Sequence, residues 1–216
     1  MPRFDAVLFD LDGTLLYTLP DIHAAINRAL AQCAHAVNTM EETRRNVGSG
    51  SRALVARSLP PDTPEAEVDR VLRAYRAAYK AALMVDTVPY DGMTETLRAL
   101  HDAGVKLGVV TNKPQENAAP MIEHYFPGLF CVTEGSREGR GFKPEPAIVF
   151  DAAAAIGAAR ERTLFVGDSD VDFLTAENAG LACVLCAWGY RARAELEKLP
   201  ALGIIDTPAA LLGYIL

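Results

Sequence analysis

The sequence has few cysteines, few histidines and no recognisable secretory leader. Its four cysteines are scattered over 216 residues, which argues against a secreted domain held together by disulfides. Its four histidines lack the spacing of a zinc or haem site. We therefore expect a cytoplasmic protein that keeps its thiols reduced.

Long apolar runs and clusters of basic residues are also missing. The first apolar run, Ala6 to Phe9, is far too short to span a bilayer. The net charge of -7 repels polyanions, and no run of lysine or arginine offsets it locally. These absences argue against a membrane or a nucleic acid as the partner.

A C-x-x-C pair, Cys183 and Cys186, is the feature most easily mistaken for a functional motif. It lies inside an apolar run with the character of a buried strand. Small buried thiols explain it better than redox or metal chemistry does, so it receives no function.

Apolar runs alternate with helical patterns from about Met93 onward, which is typical of βαβ units in a parallel sheet. Nearly continuous apolar character indicates strands that are buried on both faces. The predicted strands are Ala6–Phe9, Leu107–Thr111, Leu129–Thr133, Thr163–Gly167, Leu181–Cys186 and Gly203–Ile205. The predicted fold class is therefore α/β, with a Rossmann-like parallel sheet.

The first two predicted strands are separated by a stretch that is too long for an ordinary crossover. Two amphipathic helical patterns lie in it, one from about Ile22 to Cys33 and one that begins near Thr63. We predict an α-helical cap over residues 16–86, inserted into a catalytic core of residues 1–15 and 87–216. Pro89 and Gly92 are typical of such a return point.

Two aspartates follow the first strand, in the sequence Phe9-Asp10-Leu11-Asp12-Gly13-Thr14-Leu15. Residues two apart share one face of a strand, and Gly13 permits a turn there, so both carboxylates can point into one pocket. Asp-Gly is also a common turn dipeptide, but further polar residues at later strand ends favour a functional interpretation.

Those polar residues follow three other chain segments. Thr111 and Asn112 end the second core strand, Lys143 lies in a loop, and three acids, Asp168, Asp170 and Asp172, follow the strand that ends at Gly167. Each residue alone could be a helix cap or a surface side chain. Ligands of open α/β sheets bind at the carboxyl ends of the strands, where all of these segments can meet.

In this order the motifs resemble those of the haloacid dehalogenase superfamily, in its phosphatase branch with a helical cap after the first motif. Phosphoglycolate-phosphatase-like proteins are the most similar group. Further segments that resemble theirs are Val110-Thr111-Asn112-Lys113-Pro114, Gly48-Ser49-Gly50 and Trp188-Gly189-Tyr190.

The resemblance implies a role for each matching residue. Asp10 is the nucleophile, Asp12 the acid and base, and Asp168 a metal ligand. Thr111, Asn112 and Lys143 bind phosphate. Oxygen ligands select a hard cation, so the implied cofactor is Mg²⁺, held by Asp10, the Asp12 backbone carbonyl and Asp168.

Two of the acids after Gly167 keep open roles. Asp172 either binds the metal through water or orients Lys143 through a charge-assisted hydrogen bond, and the second role is favoured. Asp170 is either a metal ligand or a helix cap.

The cap holds two further candidates. Relatives commonly continue the first motif with an acid and a serine, whereas Tyr17 and Thr18 stand here. Tyr17 either contacts substrate or, as we favour, packs at the hinge. Arg52 either meets a substrate carboxylate or, as we favour, is a surface arginine in the first turn of a helix.

The predicted function is hydrolysis of a small phosphate monoester, such as phosphoglycolate, through an aspartyl phosphate. The partner is then a small phosphorylated metabolite, and the protein is a monomer or a homodimer. A phosphosugar mutase of the same superfamily is the main alternative. A phospho-acceptor signalling domain is another, but it needs no cap. Haloacid dehalogenation and an inactive binding module fit the sequence less well.

Overall fold

The computed structural model describes residues 2–216, which form two compact units. One unit contains the described residues up to Leu16 together with Pro89–Leu216, and the other is Tyr17–Val88. None of the helices in residues 2–216 combines the length and the apolar composition that a bilayer crossing requires.

The strands and helices alternate along the larger unit. The strands are β1 Ala6–Phe9, β2 Leu16–Tyr17, β3 Val88–Pro89, β4 Lys106–Pro114, β5 Val132–Ser136, β6 Thr163–Gly167, β7 Ala182–Cys186 and β8 Gly203–Ile205. The helices are α1 Leu19–Gln32, α2 Met40–Asn46, α3 Gly50–Arg57, α4 Glu65–Ala81, α5 Met93–Asp102, α6 Gln115–Tyr125, α7 Ala147–Ile156, α8 Asp170–Ala179, α9 Arg193–Leu196 and α10 Leu212–Ile215. Single 3-10 turns occupy Arg160–Arg162 and Pro208–Leu211.

The larger unit is built on a six-stranded sheet in the order β5-β4-β1-β6-β7-β8, with every neighbouring pair parallel. The predicted α/β class with a parallel sheet is confirmed. Strand β1 is central, and all four of its residues are buried, as its continuous apolar sequence indicates. The chain leaves β1 towards β4 and β5 and then returns to β6 on the other side, so the strand order reverses beside β1.

The strand register determines which side chains meet at the edge of the sheet. Phe9 of β1 pairs with Val109 of β4 and with Val166 of β6. The residues that follow these three positions therefore leave the sheet at the same level. In doubly wound sheets, ligands bind at this edge, beside the point where the strand order reverses.

One predicted strand is displaced. We predicted a strand over Leu129–Thr133, but β5 runs from Val132 to Ser136. The apolar residues Leu129 and Phe130 come before the strand, and the strand itself is mostly polar and half-buried. As the edge strand of the sheet it has a neighbour on one side only, β4. Apolar character therefore indicated its position poorly.

The smaller unit is helical, and its core is the contact between α1 and α4. Both predicted amphipathic helices are present, with Ile26 and Leu30 of α1 and Val71 and Tyr75 of α4 buried. Helices α2 and α3 were not predicted. Helix α2 begins with a capping box, in which the Thr39 side chain accepts from the backbone of Glu42.

Candidate active site

The turn after β1 positions the first motif at the edge of the sheet. Asp10 is buried, and its backbone N–H donates to the carbonyl of Val166 at 2.9 Å. Gly13 has φ +88°, a left-handed conformation that favours glycine. A Cβ at this position would lie 2.6 Å from Asp168 Oδ2. Gly13 thus provides both the turn and the close approach of the backbone to Asp168.

A lysine from a distant loop lies against the first aspartate. Lys143 Nζ is 2.7 Å from Asp10 Oδ1 and 2.7 Å from Asp172 Oδ1, and the lysine side chain is only 2% exposed. Asn112 Nδ2 donates to the Lys143 carbonyl at 3.0 Å, which ties the loop to the end of β4. Lys143 therefore joins one carboxylate after β1 to another on α8.

Three buried carboxylates converge beside this lysine. Ligand oxygens of Asp10, Asp168 and Asp172 all lie within 4.8 Å of one another. Asp168 Oδ2 accepts from the backbone N–H of Tyr190 at 2.7 Å, and its Oδ1 accepts from the Thr14 hydroxyl at 3.3 Å. The acids that the sequence placed at two separate strand ends thus form a single cluster.

Burial of these charges shifts their proton affinities. Burial is the main reason that the pKa of Asp168 rises to about 8, and the charges of Asp172 and Asp10 raise it further. Burial also raises the pKa of Asp10 to about 6, against the lowering effect of Lys143. For Lys143, burial alone lowers the pKa, but the neighbouring carboxylates of Asp10 and Asp172 outweigh burial and the pKa is raised.

Asp172 is both a helix-capping residue and the partner of Lys143. Its Oδ2 accepts from the Ser169 hydroxyl at 2.6 Å and from the backbone N–H groups of Asp168 and Ser169 at 3.1 Å, while its Oδ1 faces Lys143. Ser169 is the N-cap of α8, and Asp172 completes the capping box.

Asp170 is the first residue of α8, so the suggestion that it caps the helix is wrong. It is exposed, lies outside the carboxylate cluster and accepts from Arg191 Nε at 3.3 Å.

The second aspartate of the motif lies against a different lysine. Asp12 Oδ1 is 2.8 Å from Lys113 Nζ. Thr111 is buried at the end of β4, and its hydroxyl accepts from the backbone N–H of Lys113 at 3.2 Å. The sequence interpretation gave Lys113 no role, although it follows directly on the polar pair Thr111-Asn112.

The sequence model of the haloacid dehalogenase-like hydrolase family matches residues 7–186, most of the chain. The chain belongs to this family. The resemblance that the motifs predicted is therefore confirmed, and so is the prediction that the protein is an enzyme.

Relatives of this hydrolase with similar length are named as phosphatases. Phosphoglycolate phosphatase from Cereibacter sphaeroides (strain ATCC 17025) is 39% identical over 208 residues, which cover 93% of this chain and 92% of the relative. Phosphoglycolate phosphatase from Pseudomonas syringae pv. syringae is 35% identical over 212 residues, covering 93% of this chain and 76% of the relative. These relatives confirm the prediction of a phosphoric monoester hydrolase.

A solved structure supports the same family. A crystal structure of a predicted phosphoglycolate phosphatase from Haemophilus somnus 129PT has a TM-score of 0.91 and 30% identity, and the match covers 99% of this chain and 98% of that one. The fold of this haloacid dehalogenase-like hydrolase is thus shared along nearly its whole length.

The remaining two candidates of this hydrolase lie in its helical unit. Arg52 is in the first turn of α3, and its guanidinium binds Glu65 and Asp69 of α4. Tyr17 is half-buried at the end of β2. Their proposed substrate contacts stay predictions, and so does the capping role of residues 16–86.

The donor set of this hydrolase fits a hard divalent cation. The three clustered side chains offer only carboxylate oxygens, and Lys143 contributes a single positive charge to them. The raised pKa values of Asp10 and Asp168 show that the cluster retains excess negative character. A divalent cation bound by oxygen would relieve that excess.

Proposed function

We propose that the protein is a Mg²⁺-dependent hydrolase of small phosphate monoesters that forms an aspartyl phosphate on Asp10. One observation carries the proposal: the Asp10 carboxylate lies 2.7 Å from Lys143 and within 4.8 Å of the Asp168 and Asp172 carboxylates, at the edge of the sheet where β1 and β6 end. An isolated acid would need none of these neighbours.

The nucleophilic step must overcome repulsion between a carboxylate and a phosphate that carries negative charge. Lys143 is held between Asp10 and Asp172, so its ammonium is fixed beside the attacking oxygen before substrate arrives. Positive charge that is already oriented lowers the barrier without reorganisation during the reaction. Asp10 attacks phosphorus, and the bond from phosphorus to the ester oxygen breaks.

Asp10, Asp168 and the Asp12 backbone carbonyl would hold Mg²⁺. When bound, the cation supplies positive charge to the phosphate oxygens. The Thr111 hydroxyl and the Asn112 amide, both at the end of β4, are the proposed neutral donors to phosphate. Asn112 also orients the Lys143 loop, since its amide donates to the Lys143 carbonyl.

Asp12 handles the proton in both halves of the reaction. It gives a proton to the ester oxygen as that oxygen leaves as an alcohol. It then takes a proton from the water that attacks the aspartyl phosphate, which releases inorganic phosphate and restores Asp10. Its side chain, 15% exposed, can exchange protons with a substrate more readily than the buried Asp168 can.

The proposed substrate is a small phosphate monoester that carries a carboxylate, as in the substrate for which the relatives are named. The notebook of contacts in α3 bears on Arg52, which already binds two carboxylates of α4.

A matched pair of substrates tests whether Arg52 recognises that carboxylate. If it does, Arg52→Ala raises KM for phosphoglycolate and spares a phosphate ester without a carboxylate. Equal effects on both substrates remove Arg52 from recognition.

The proposed reaction is tested with a panel of phosphorylated metabolites, with and without Mg²⁺, and inorganic phosphate is measured. We expect steady phosphate release that requires Mg²⁺ and is abolished by Asp10→Asn. Asp170→Asn is the matched control, because it makes the same change at an exposed acid near the cluster, and it should retain most activity. Normal turnover by Asp10→Asn, with deamidation excluded by mass spectrometry, contradicts the proposal. Isomerised sugar phosphate in place of phosphate identifies a mutase.

A further inference from the structure

Lys113 and Asp12 form an ion pair between two motifs that are far apart in sequence. Lys113 Nζ donates to Asp12 Oδ1 at 2.8 Å across a separation of 101 residues. The lysine side chain is 4% exposed and the aspartate side chain 15%. A lysine is rarely buried to this degree unless it is paired, so the contact is a specific part of the fold.

The backbone of Lys113 is held on two sides. Its N–H donates to the Thr111 hydroxyl at 3.2 Å, and the next residue, Pro114, pairs with Ser136 of β5. A Cβ at Gly135 would lie 2.7 Å from the Lys113 carbonyl oxygen, so β5 approaches this backbone closely. The base of the lysine side chain therefore has little room to shift.

The backbone of Asp12 is also fixed. Asp12 forms a bridge with Leu16, and the N–H of the following Gly13 donates to the Leu16 carbonyl at 2.9 Å. What remains to be set is the side-chain rotamer, and the Lys113 ammonium holds one of its two oxygens. A general acid must lie within about 3 Å of the atom it protonates, so the rotamer of Asp12 matters for the rate.

We propose that Lys113 is a positioning residue that holds the Asp12 carboxylate in the orientation needed for proton transfer. This inference rests on the proposed function, because it assigns the proton to Asp12. The two buried lysines then have separate tasks: Lys143 orients Asp10, and Lys113 orients Asp12. Lys113 acts through Asp12 and forms no bond to phosphorus.

The test uses a series of aryl phosphates whose leaving groups differ in basicity, with Mg²⁺ present. A poor leaving group needs the proton from Asp12, whereas a good one departs without it. We expect Lys113→Met to lower kcat/KM for phenyl phosphate by roughly 10- to 100-fold and to change kcat/KM for 4-nitrophenyl phosphate much less. Asp12→Asn should show the same steep dependence, and the double variant should be no steeper than Asp12→Asn alone.

Two further lysine variants separate positioning from stability. Lys106→Met changes a lysine at the other end of β4 and should leave the leaving-group dependence unchanged. Lys113→Arg keeps a cation beside Asp12 and should recover the shallow dependence of the wild-type enzyme. If Lys113→Met does not fold, Lys113→Gln, which keeps a polar side chain, is measured in the same way.

The outcomes distinguish this inference from the function on which it rests. A wild-type dependence in Lys113→Met or Lys113→Gln, alongside a steep dependence in Asp12→Asn, overturns the role of Lys113 and leaves the proposed reaction intact. A dependence in Asp12→Asn that equals the wild-type one overturns the assignment of Asp12 and, with it, that of Lys113.

Discussion

Lys143 Nζ lies 2.7 Å from Asp172 Oδ1, and the two side chains are 2% and 1% exposed. The same ammonium lies 2.7 Å from Asp10. A buried ion pair contributes little net stability compared with apolar residues, but it becomes costly when one partner is removed. The arrangement therefore makes sense as preparation for phosphate chemistry, and the energetic cost of disturbing it can be measured.

Lys143→Met should destabilise the protein strongly, because it leaves the Asp10 and Asp172 carboxylates buried without their cation. We expect a loss of about 3–5 kcal/mol in the free energy of unfolding at neutral pH without metal. Urea unfolding in the presence of EDTA measures it. Lys80→Met on the exposed face of α4 is the control and should change stability by about 0.5 kcal/mol or less. Equal stabilities of the two variants contradict the account.

Mg²⁺ should stabilise the folded protein through the carboxylate cluster. A ligand that binds only the folded state adds about 2.7 kcal/mol when its concentration is 100 times Kd. We expect Mg²⁺ to raise Tm above the value in EDTA, and Asp168→Asn to remove most of this rise. Asp170→Asn should keep the rise, because Asp170 lies outside the cluster. If Asp168→Asn responds to Mg²⁺ as the wild-type protein does, the cluster is not the binding site.

The stability of the metal-free protein should depend on pH through Asp168. Its pKa is about 8 in the folded protein, raised mainly by burial from an ordinary value of 3.8. The folded state therefore binds this proton more tightly than the unfolded state does. The destabilisation is absent below pH 3.8, grows as the pH rises and is complete above about pH 8.

Urea unfolding in EDTA between pH 5 and 8 measures this effect as the difference between the wild-type protein and Asp168→Asn. We expect the advantage of Asp168→Asn to increase with pH, because the amide does not ionise. An advantage that shrinks with pH over this range contradicts the raised pKa of Asp168.

Asp21→Ala should destabilise the helical unit, because the Asp21 carboxylate holds the chain that returns from α4. The buried carboxylate accepts from the backbone N–H groups of Val85, Asp86 and Thr87 at 2.9–3.1 Å and from the Thr87 hydroxyl at 2.6 Å. Hydrogen bonds to a charged group contribute about 1.5–3 kcal/mol each, and the orphaned donors partly recover water. We expect a loss of about 3 kcal/mol in urea unfolding.

The neighbouring exposed acid provides the control for Asp21. Asp86→Ala removes a carboxyl group but keeps the backbone N–H that Asp21 binds, so it should change stability little. A loss in Asp86→Ala as large as that in Asp21→Ala shows that the hydrogen bonds to Asp21 are not responsible.

The sequence predicted the parts of the structure that depend on local patterns. The buried strand Ala6–Phe9 is found as predicted, and so is Thr163–Gly167, because continuous apolar runs indicate the interior of a parallel sheet. The convergence of Asp10 and Asp168 could also be predicted, since the carboxyl ends of neighbouring parallel strands meet. The chemistry therefore lies close to the most predictable part of the chain.

The sequence predicted less where position depends on contacts that are distant along the chain. Lys113 was missed because a lysine after a strand is usually on the surface, and only the fold brings it to Asp12. The short helices α2 and α3 have weak patterns, although the capping box formed by Thr39 and Glu42 was a usable signal for α2. Arg52 meets its partners only because α3 and α4 pack together.

The most direct test of the account is to identify the residue that accepts phosphorus. Wild-type enzyme, turning over a substrate in the presence of Mg²⁺, is quenched and treated with borohydride, which reduces an aspartyl phosphate to homoserine. Peptide mass spectrometry then locates the change. The account predicts homoserine at position 10 only when substrate is present. Phosphate or homoserine at another residue, or an unmodified Asp10 during turnover, contradicts it.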